Sequence, residues 1–469
     1  MAILEIDSDH NNRDLSKTNK RESLDLGAST MEFQLPELPP ELLFEIFSFA
    51  TSGENAVTPF LLGKICHEWR GLVFDSCPLW QTIDLKLEYD RDVQFSLLEG
   101  WINRAGSLPL SVTITYPKPE KRRHLGHAKQ MEPILAIPST QVSSLSMNDV
   151  PHDFFGALAA QSKVGPWPIL SYLHVSSTEG DEYPDEDDPV FGEMPALRSV
   201  SINYLYVLSV PLPWSQLLHI YLGWIYPYEI CGVLGRATNL LSLDVSAVYE
   251  EPNSTPPTET HQTLRRLTFS NQTSKEYSLF KSLRLPELGS LELRLTQPDH
   301  LTGEDRGPLR VFDIYPFLSE SGCRLVELSI DDGALAEPRL LLWLSILPTL
   351  RTLRLSNNKW YDEDNPEGAF LPLGPDIFRK MAATPSHNPI LPFLENLTFE
   401  GSQVSFSPDL VMNLLHSRWG DDGAPKEGGD VSLRSVVCKA IGPTWTHLNE
   451  EQKLIVGKWK GRRFRVDIQ

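Results

Sequence analysis

The chain has 469 residues, with 62 acidic and 42 basic side chains and a formal net charge of −20. Apolar residues make up 41% and charged residues 22%, the profile of a folded protein and not of a disordered one. The acidic excess excludes broad binding to nucleic acid or to an anionic membrane surface, both of which need a positive face.

A chain of this length buries about 75% of its surface on folding, enough for one or two large cores. No apolar run of about 18 residues exists to span a bilayer. The opening MAILEIDSDH lacks the basic start and apolar stretch of a secretion signal. Cys66, Cys77, Cys231, Cys323 and Cys438 are scattered, odd in number and without a CxxC pair. That usage points to a reducing compartment, cytoplasm or nucleus, and argues against a disulfide scaffold or a cysteine-rich zinc module.

Residues 1–33 mix charges with Ser and Asn and have no helical or strand period, so a disordered arm is expected there. Order should begin near Leu35, in a helical module over 34–85. In LPPELLFEIFSFA, Pro39 and Pro40 stand at a helix start, where the missing N–H costs nothing. Leu42, Leu43, Ile46 and Phe47 then recur with a helical period, predicting one apolar stripe. A second helix is predicted from Leu61 to about Asp75, carrying Leu62, Ile65, Cys66, Trp69, Leu72 and Val73. A third is predicted over 91–105, with Val93, Leu97, Leu98, Trp101 and Ile102 on one side.

These residues carry a resemblance. LPPELLFEIF followed by KICHEWRGLVFDSCPLW resembles an F-box of the kind abundant in mushroom-forming fungi, and LLEGWINRAGSLPLSVTI resembles the helix and strand that follow it. The likeness covers roughly residues 36–115. His67 stands where a basic residue is usual, and Cys77 where threonine commonly precedes the proline. The resemblance implies docking of a small Skp-type linker protein, and through it a cullin and a ubiquitin-conjugating enzyme. Carried over residue by residue, the implied docking set is Leu38, Pro39, Leu42, Leu43, Ile46, Phe47, Leu62, Ile65 and Trp69, completed by Pro78, Leu79 and Trp80. Some of these, Trp69 and Trp80 above all, also suit the module's own core, and sequence leaves the two roles open.

A connecting segment is expected over 86–140, and from 141 to 469 the chain repeats itself. The pattern L-x-x-[LIV]-x-[LIVFMC] begins at Val142, Leu170, Leu197, Leu217, Leu240, Leu264, Leu288, Leu325, Leu350, Leu394 and Leu433. Seven of the ten intervals fall in the 20–29 residues of a leucine-rich repeat. Helices are predicted between motifs at 151–161, 337–347, 375–383 and 407–419, the last with Ser407 as N-cap and Pro408 at the first position. Prolines just upstream of many motifs (Pro168, Pro195, Pro213, Pro286, Pro348, Pro392) are expected to stop the preceding helix. The expected fold class is α/β: an N-terminal helical F-box, then a leucine-rich-repeat-like solenoid with a curved parallel sheet.

Within each predicted strand the apolar positions alternate with polar ones. The 33 intervening positions are polar except Gly223 and Val437, which predicts one wet sheet face. In a curved solenoid such a face is the extended partner-binding surface. The candidates on it are Tyr172, His174, Asn203, Tyr221, Asp244, Arg266, Glu292, Arg294 and Arg354. Acidic stretches at 179–188, 250–259 and 361–367 hold −14 of the net charge, whereas the 33 face positions sum to −1, so the partner's charge does not follow from the −20.

GxGxxG, GxxxxGK[ST], HExxH and GxSxG are absent, so no catalytic residue, cofactor or metal is called. His124 and His127 lie in a basic cluster without carboxylate or cysteine partners at metal spacing, and the cluster is read as a solvated loop. The acidic run 179–189 reads as a solvated loop as well. The expected function is a substrate-recognition adaptor of a Skp–cullin–F-box ubiquitin ligase, whose partners are the linker and a protein substrate, with no nucleic acid and no membrane. The alternative is a non-catalytic scaffold that keeps the F-box fold and never joins a cullin. An unrecognised hydrolase would need a buried polar pocket with a perturbed titratable residue.

Overall fold

The computed structural model describes residues 38–51, 58–87, 91–116, 137–151, 165–177, 192–246, 248, 256–270, 279–294, 314–331, 337–357, 374–382, 389–401, 404–419, 433–440, 445, 448–461 and 465–468. The expected arm over 1–33, the basic cluster with His124 and His127, the acidic run 179–189 and nearly all of the helix predicted at 151–161 lie outside them. Two compact units divide between Thr113 and Ile114.

The first unit opens with α1 (Pro40–Ala50). The backbone N–H groups of Leu42 and Leu43 close its first turn on the Pro39 carbonyl, and Thr51 ends it by bonding the Phe47 carbonyl through its N–H and its hydroxyl. At 100° per residue, Leu43 and Phe47 fall on one side of α1 and Leu42, Ile46 and Phe49 on another. The structure follows that split. Phe47 is 1% exposed and Leu43 is buried, whereas Leu42, Ile46 and Phe49 are 51%, 47% and 84% exposed. The single predicted stripe is therefore two faces.

The second predicted helix is also two. α2 (Pro59–Leu62) stops at a turn through Gly63–Ile65, and α3 (His67–Asp75) starts afresh with Cys66 as N-cap, its Sγ accepting from the Trp69 N–H at 3.4 Å. Arg70 Nε donates to the Gly63 carbonyl at 2.8 Å and holds the turn closed. Periodicity did not register this break, because Leu61, Ile65 and Trp69 keep helical spacing across it.

A single tight turn at Cys77–Trp80 then drives Trp80 into the unit's centre. Trp80 is fully buried, donates Nε1–H to the Val73 carbonyl at 2.8 Å, and meets Phe60 and Trp101 edge-on at 5.0 and 5.1 Å. The Arg104 guanidinium lies over its ring at 5.0 Å. Strand β1 (Thr82–Lys86), which the sequence did not signal, precedes α4 (Arg91–Ala105), and β2 (Leu110–Thr115) follows at the predicted place.

The second unit is built on a long parallel sheet. Its motif strands are β3 (Val142–Val150), β4 (Tyr172–Ser177), β5 (Ser199–Asn203), β6 (His219–Gly223), β7 (Ser242–Val245), β9 (Arg266–Ser270), β11 (Ser290–Arg294), β12 (Glu327–Asp331), β13 (Thr352–Asn357), β14 (Asn396–Gly401) and β15 (Ser435–Ala440). β16 (Arg465–Ile468) completes the series. They pair in that order and in parallel. Each motif start supplies one strand, and all three apolar positions of every motif are buried. A short parallel pair, β8 (Glu259–Thr260) with β10 (Leu283–Arg284), stands apart from the main sheet and had no sequence signal.

The upstream prolines act differently from expectation. The motif's first leucine closes a turn by donating its N–H three residues back: Leu170 to Trp167, Leu197 to Met194, Leu288 to Leu285, Leu350 to Leu347 and Leu394 to Leu391. Pro168, Pro195, Pro286, Pro348 and Pro392 occupy the second position of those turns, where proline's fixed φ is already correct. They set the entry into each strand; among the described residues Pro286 and Pro348 also follow closely on helices, Leu279–Ser282 and Glu337–Ser345.

Returns between strands carry helices α5 (Pro227–Arg236), α6 (Leu279–Ser282), α7 (Tyr315–Ser321), α8 (Glu337–Ser345), α9 (Asp376–Met381), α10 (Pro408–Arg418) and α11 (Glu450–Gly461). Rings pack from one return to the next, as in Phe280 against Phe317 at 5.3 Å and Phe378 against Phe406 at 4.7 Å, and Phe280 also meets Phe269 of β9 at 5.1 Å. Ser407 stands at the N-cap of α10, but its hydroxyl bonds Asp409 and not the helix backbone.

Candidate interaction surfaces

The first surface is the outward side of the first unit. Of the implied docking residues, Leu38, Pro39, Leu42, Ile46, Ile65 and Pro78 are exposed. Leu43, Phe47, Leu62, Leu79 and Trp80 are buried and belong to the unit's own core. Trp69 is half-buried, its ring 4.7 Å from Phe47. The sequence reading thus merged a core with a surface. It also missed Phe49 and Leu61, both exposed; for Phe49 the signal was present, since it continues the line of Leu42 and Ile46 on α1. Exposed apolar side chains gathered on one short helix are uncommon on a monomer's surface and mark an interaction site.

The second surface is the polar side of the long sheet. Register places His174, Tyr221, Asp244, Glu292 and Arg354 in one row across the strands, by way of Ser201, Thr268 and Ser329. At ~4.8 Å per strand the row runs about 34 Å, so these residues form a surface and not one pocket. Tyr172 and Arg266 lie one row toward the strand starts, Asn203 and Arg294 one row toward the strand ends. The predicted wet face holds along most strands. It fails at Ser201, Gly223, Thr268, Ser270 and Val437, which are buried. Larger neighbours lean over the small residues: His174 Nδ1 is 2.8 Å from Ser201 Oγ, and burial pushes the His174 imidazole below its ordinary range.

Gly223 has a specific reason. A side chain there would collide with the Asn203 carboxamide, which lies across β6 toward Ser246. The next residue, Trp224, has φ 56°, and Tyr204 at the end of β5 has φ 55°. Asp149 beyond β3 has φ 57°, and all three stand seven residues after their motif's first apolar position. Tyr204 and Trp224 stack at 5.3 Å with their planes 20° apart. The sequence reading stopped one residue short of this aromatic rim.

Charge on this face is locally paired. Arg294 Nε binds Glu292 Oε1 at 2.9 Å, which with nearby Asp244 and Asp331 holds the guanidinium above its usual range. Asp244 makes no hydrogen bond through Oδ1 and belongs to no ion pair among the described residues. Burial, opposed by Arg294, pushes its carboxyl above the usual carboxylate range.

A groove of about 600 Å³ lies at the starts of β5 to β11, lined by Arg198, Gln216, Asn239, Thr263, Arg265 and Glu287 among others. Several of these side chains are occupied in stitching repeats. Gln216 donates to the Leu197 carbonyl, Asn239 to Ser215 and Thr263 to Leu240. Among the described residues the most perturbed carboxyl, Glu229, is pushed by burial to about 7, and it lies elsewhere. It accepts from the N–H groups of Val207 and Tyr226 at 2.8 and 3.0 Å, tying the return after β5 to the start of α5. That is a structural strap. Among the described residues no group of three or more His, Cys, Asp or Glu is placed to hold a metal, and no helix is long and apolar enough to cross a membrane.

No protein-family model matches the chain, and no curated protein matches it.

Proposed function

We propose that the chain is the substrate-recognition adaptor of a ubiquitin ligase of the Skp–cullin–F-box kind. The helical unit docks the linker protein and the polar sheet face holds a protein substrate, while the ligase chemistry belongs to the partners. The observation that supports this most is the divided first helix. Leu43 and Phe47 anchor the unit, and Leu42, Ile46 and Phe49 are left facing outward with Ile65 as a further exposed anchor. A helix laid into an apolar groove on a partner takes that pattern, with a few aliphatic and aromatic anchors dominating.

Each fully buried Leu, Ile or Phe side chain contributes about 1.5–3 kcal/mol. Replacing Leu42 and Ile46 by Asp removes two anchors and adds two charges that the interface must desolvate. Titrating a purified Skp-type linker into the full-length chain is therefore expected to show a loss of at least about a hundredfold for Leu42→Asp/Ile46→Asp. The melting transition should stay unchanged, because neither side chain is in the core. Binding by the double variant equal to that of the wild type overturns the proposal.

A further inference from the structure

The groove at the strand starts is lined by one register row. Arg198, Leu218, Leu241 and Arg265 each stand immediately before the first residue of β5, β6, β7 and β9, and those first residues pair in parallel register. At ~4.8 Å per strand the row reads cation, apolar, apolar, cation over about 14 Å. Leu218 and Leu241 are half-buried between two exposed arginines. Arg198 uses Nη1 on the Pro195 and Leu197 carbonyls, so its Nε and Nη2 have no hydrogen bond among the described residues. The Arg265 guanidinium has neither a hydrogen bond nor an ion pair among them. Farther along, the same row shows what such arginines hold. Before β13, β14 and β15 it reads Arg351, Glu395, Arg434, and both arginines reach the one carboxylate. Arg351 Nη1 is 2.6 Å from Glu395 Oε1, and Arg434 Nη1 is 3.6 Å from Oε2. Between Arg198 and Arg265 no acid fills that place. Glu287, exposed in the turn before β11, lines the far end, and Arg266 beside Arg265 adds a second exposed cation there.

We infer that this row docks an extended segment of a partner protein with the pattern acid–x–apolar–x–acid, laid across the strand starts. Alternate residues of an extended chain face one way and each residue rises ~3.4 Å, so acids four residues apart stand about 14 Å apart. They meet Arg198 and Arg265, and the apolar residue midway falls between Leu218 and Leu241. A guanidinium suits the ends of the row, because it can grip a carboxylate with two donors at once. A helix carries the same two acids only about 6 Å apart and spans less than half the row. The site lies at the strand starts, apart from the polar face and from α1. Its test involves neither linker nor cullin, so it and the ligase reading can fail separately.

The probe is a blocked pentapeptide, Glu-Ser-Leu-Ser-Glu, titrated into the full-length protein by calorimetry at about 0.15 M salt, where charges beyond about 8 Å are largely screened. Three further peptides are compared with it. Gln-Ser-Leu-Ser-Gln removes the charge, Lys-Ser-Leu-Ser-Lys reverses it, and Ser-Glu-Leu-Glu-Ser turns both acids to the side opposite the leucine. The first peptide is expected to bind at least about tenfold more tightly than the Gln and Lys peptides, and at least about threefold more tightly than Ser-Glu-Leu-Glu-Ser. A preference for acid over lysine runs against the net charge of −20 and therefore reports the local row. Arg265→Gln should weaken the Glu peptide about threefold, and Arg198→Gln/Arg265→Gln at least about tenfold. Arg379→Gln, on α9, should leave it unchanged. Arg265→Gln should melt with the wild type, because that guanidinium ties down nothing among the described residues, and this separates loss of the site from loss of the fold. Equal binding of the Gln peptide or of Ser-Glu-Leu-Glu-Ser, undiminished binding by Arg265→Gln, or no binding by any peptide at about 10 mM each overturns the inference.

Discussion

Neighbouring residues in the first helix have opposite duties, and substitutions should separate them. Phe47→Ala empties a fully buried site against Trp69 and is expected to cost about 3–5 kcal/mol of the first unit's stability. Ile46→Asp, one residue away, should leave the melt intact. Thermal unfolding of the two variants side by side checks this. Glu229 supplies a second residue-scale prediction, in pH. Its carboxyl rises from an unfolded value of 4.5 to about 7. A raised carboxyl stabilises the fold in full below its unfolded value, and that contribution is lost as pH climbs through the folded one. Relative to Glu229→Gln, the wild type should lose Tm steadily from about pH 4.5 to about pH 7 and level off above that. A constant or widening wild-type advantage over that range contradicts the assigned shift. The sequence named Leu42, Leu43, Ile46 and Phe47 but could not divide them, because helical period identifies an apolar side chain without saying whether the chain's own core or a partner covers it.

Among elements, the repeat strands were the most legible part. The eleven motif starts are fully or almost fully buried, since a leucine three residues before a period-2 pair has no other place in a stacked parallel sheet. What escaped was irregular. The break between α2 and α3 depends on Arg70 reaching the Gly63 carbonyl and on a cysteine serving as N-cap, and neither leaves a periodic trace. The role of the prolines escaped for a similar reason, since a turn before a strand and a stop after a helix look alike in sequence. Arg418 at the end of α10 is the clearest unheralded element contact. It is buried and donates to the carbonyls of Pro392, Met381 and Leu391 at 3.0, 2.9 and 3.3 Å, clamping the turn before β14 onto α10. Arg418→Leu removes these hydrogen bonds from a buried clamp and should cost about 3 kcal/mol, read as a lowered denaturation midpoint. A midpoint within error of the wild type would show that the clamp is dispensable.

At the scale of the whole molecule, the net charge of −20 says little about the partner. Most of it lies in stretches between repeats, while the polar sheet face carries both signs in nearly equal number and pairs several of them locally, as Glu292 does with Arg294 and Glu400 with Lys439. Specificity on such a face comes from particular positions and not from its total charge. The proposal divides the labour: one unit offers an apolar helix face to an assembly, the other offers a polar face to what is brought there. On this division the outward side of α1 connects the chain to a cullin. The most direct measurement is quantitative affinity purification of the tagged full-length protein from its native cells, wild type beside Leu42→Asp/Ile46→Asp. The account predicts a cullin and a Skp-type linker with the wild type, both reduced at least about tenfold with the double variant. A wild-type purification free of cullin, or a double variant that retains it in full, would contradict the account.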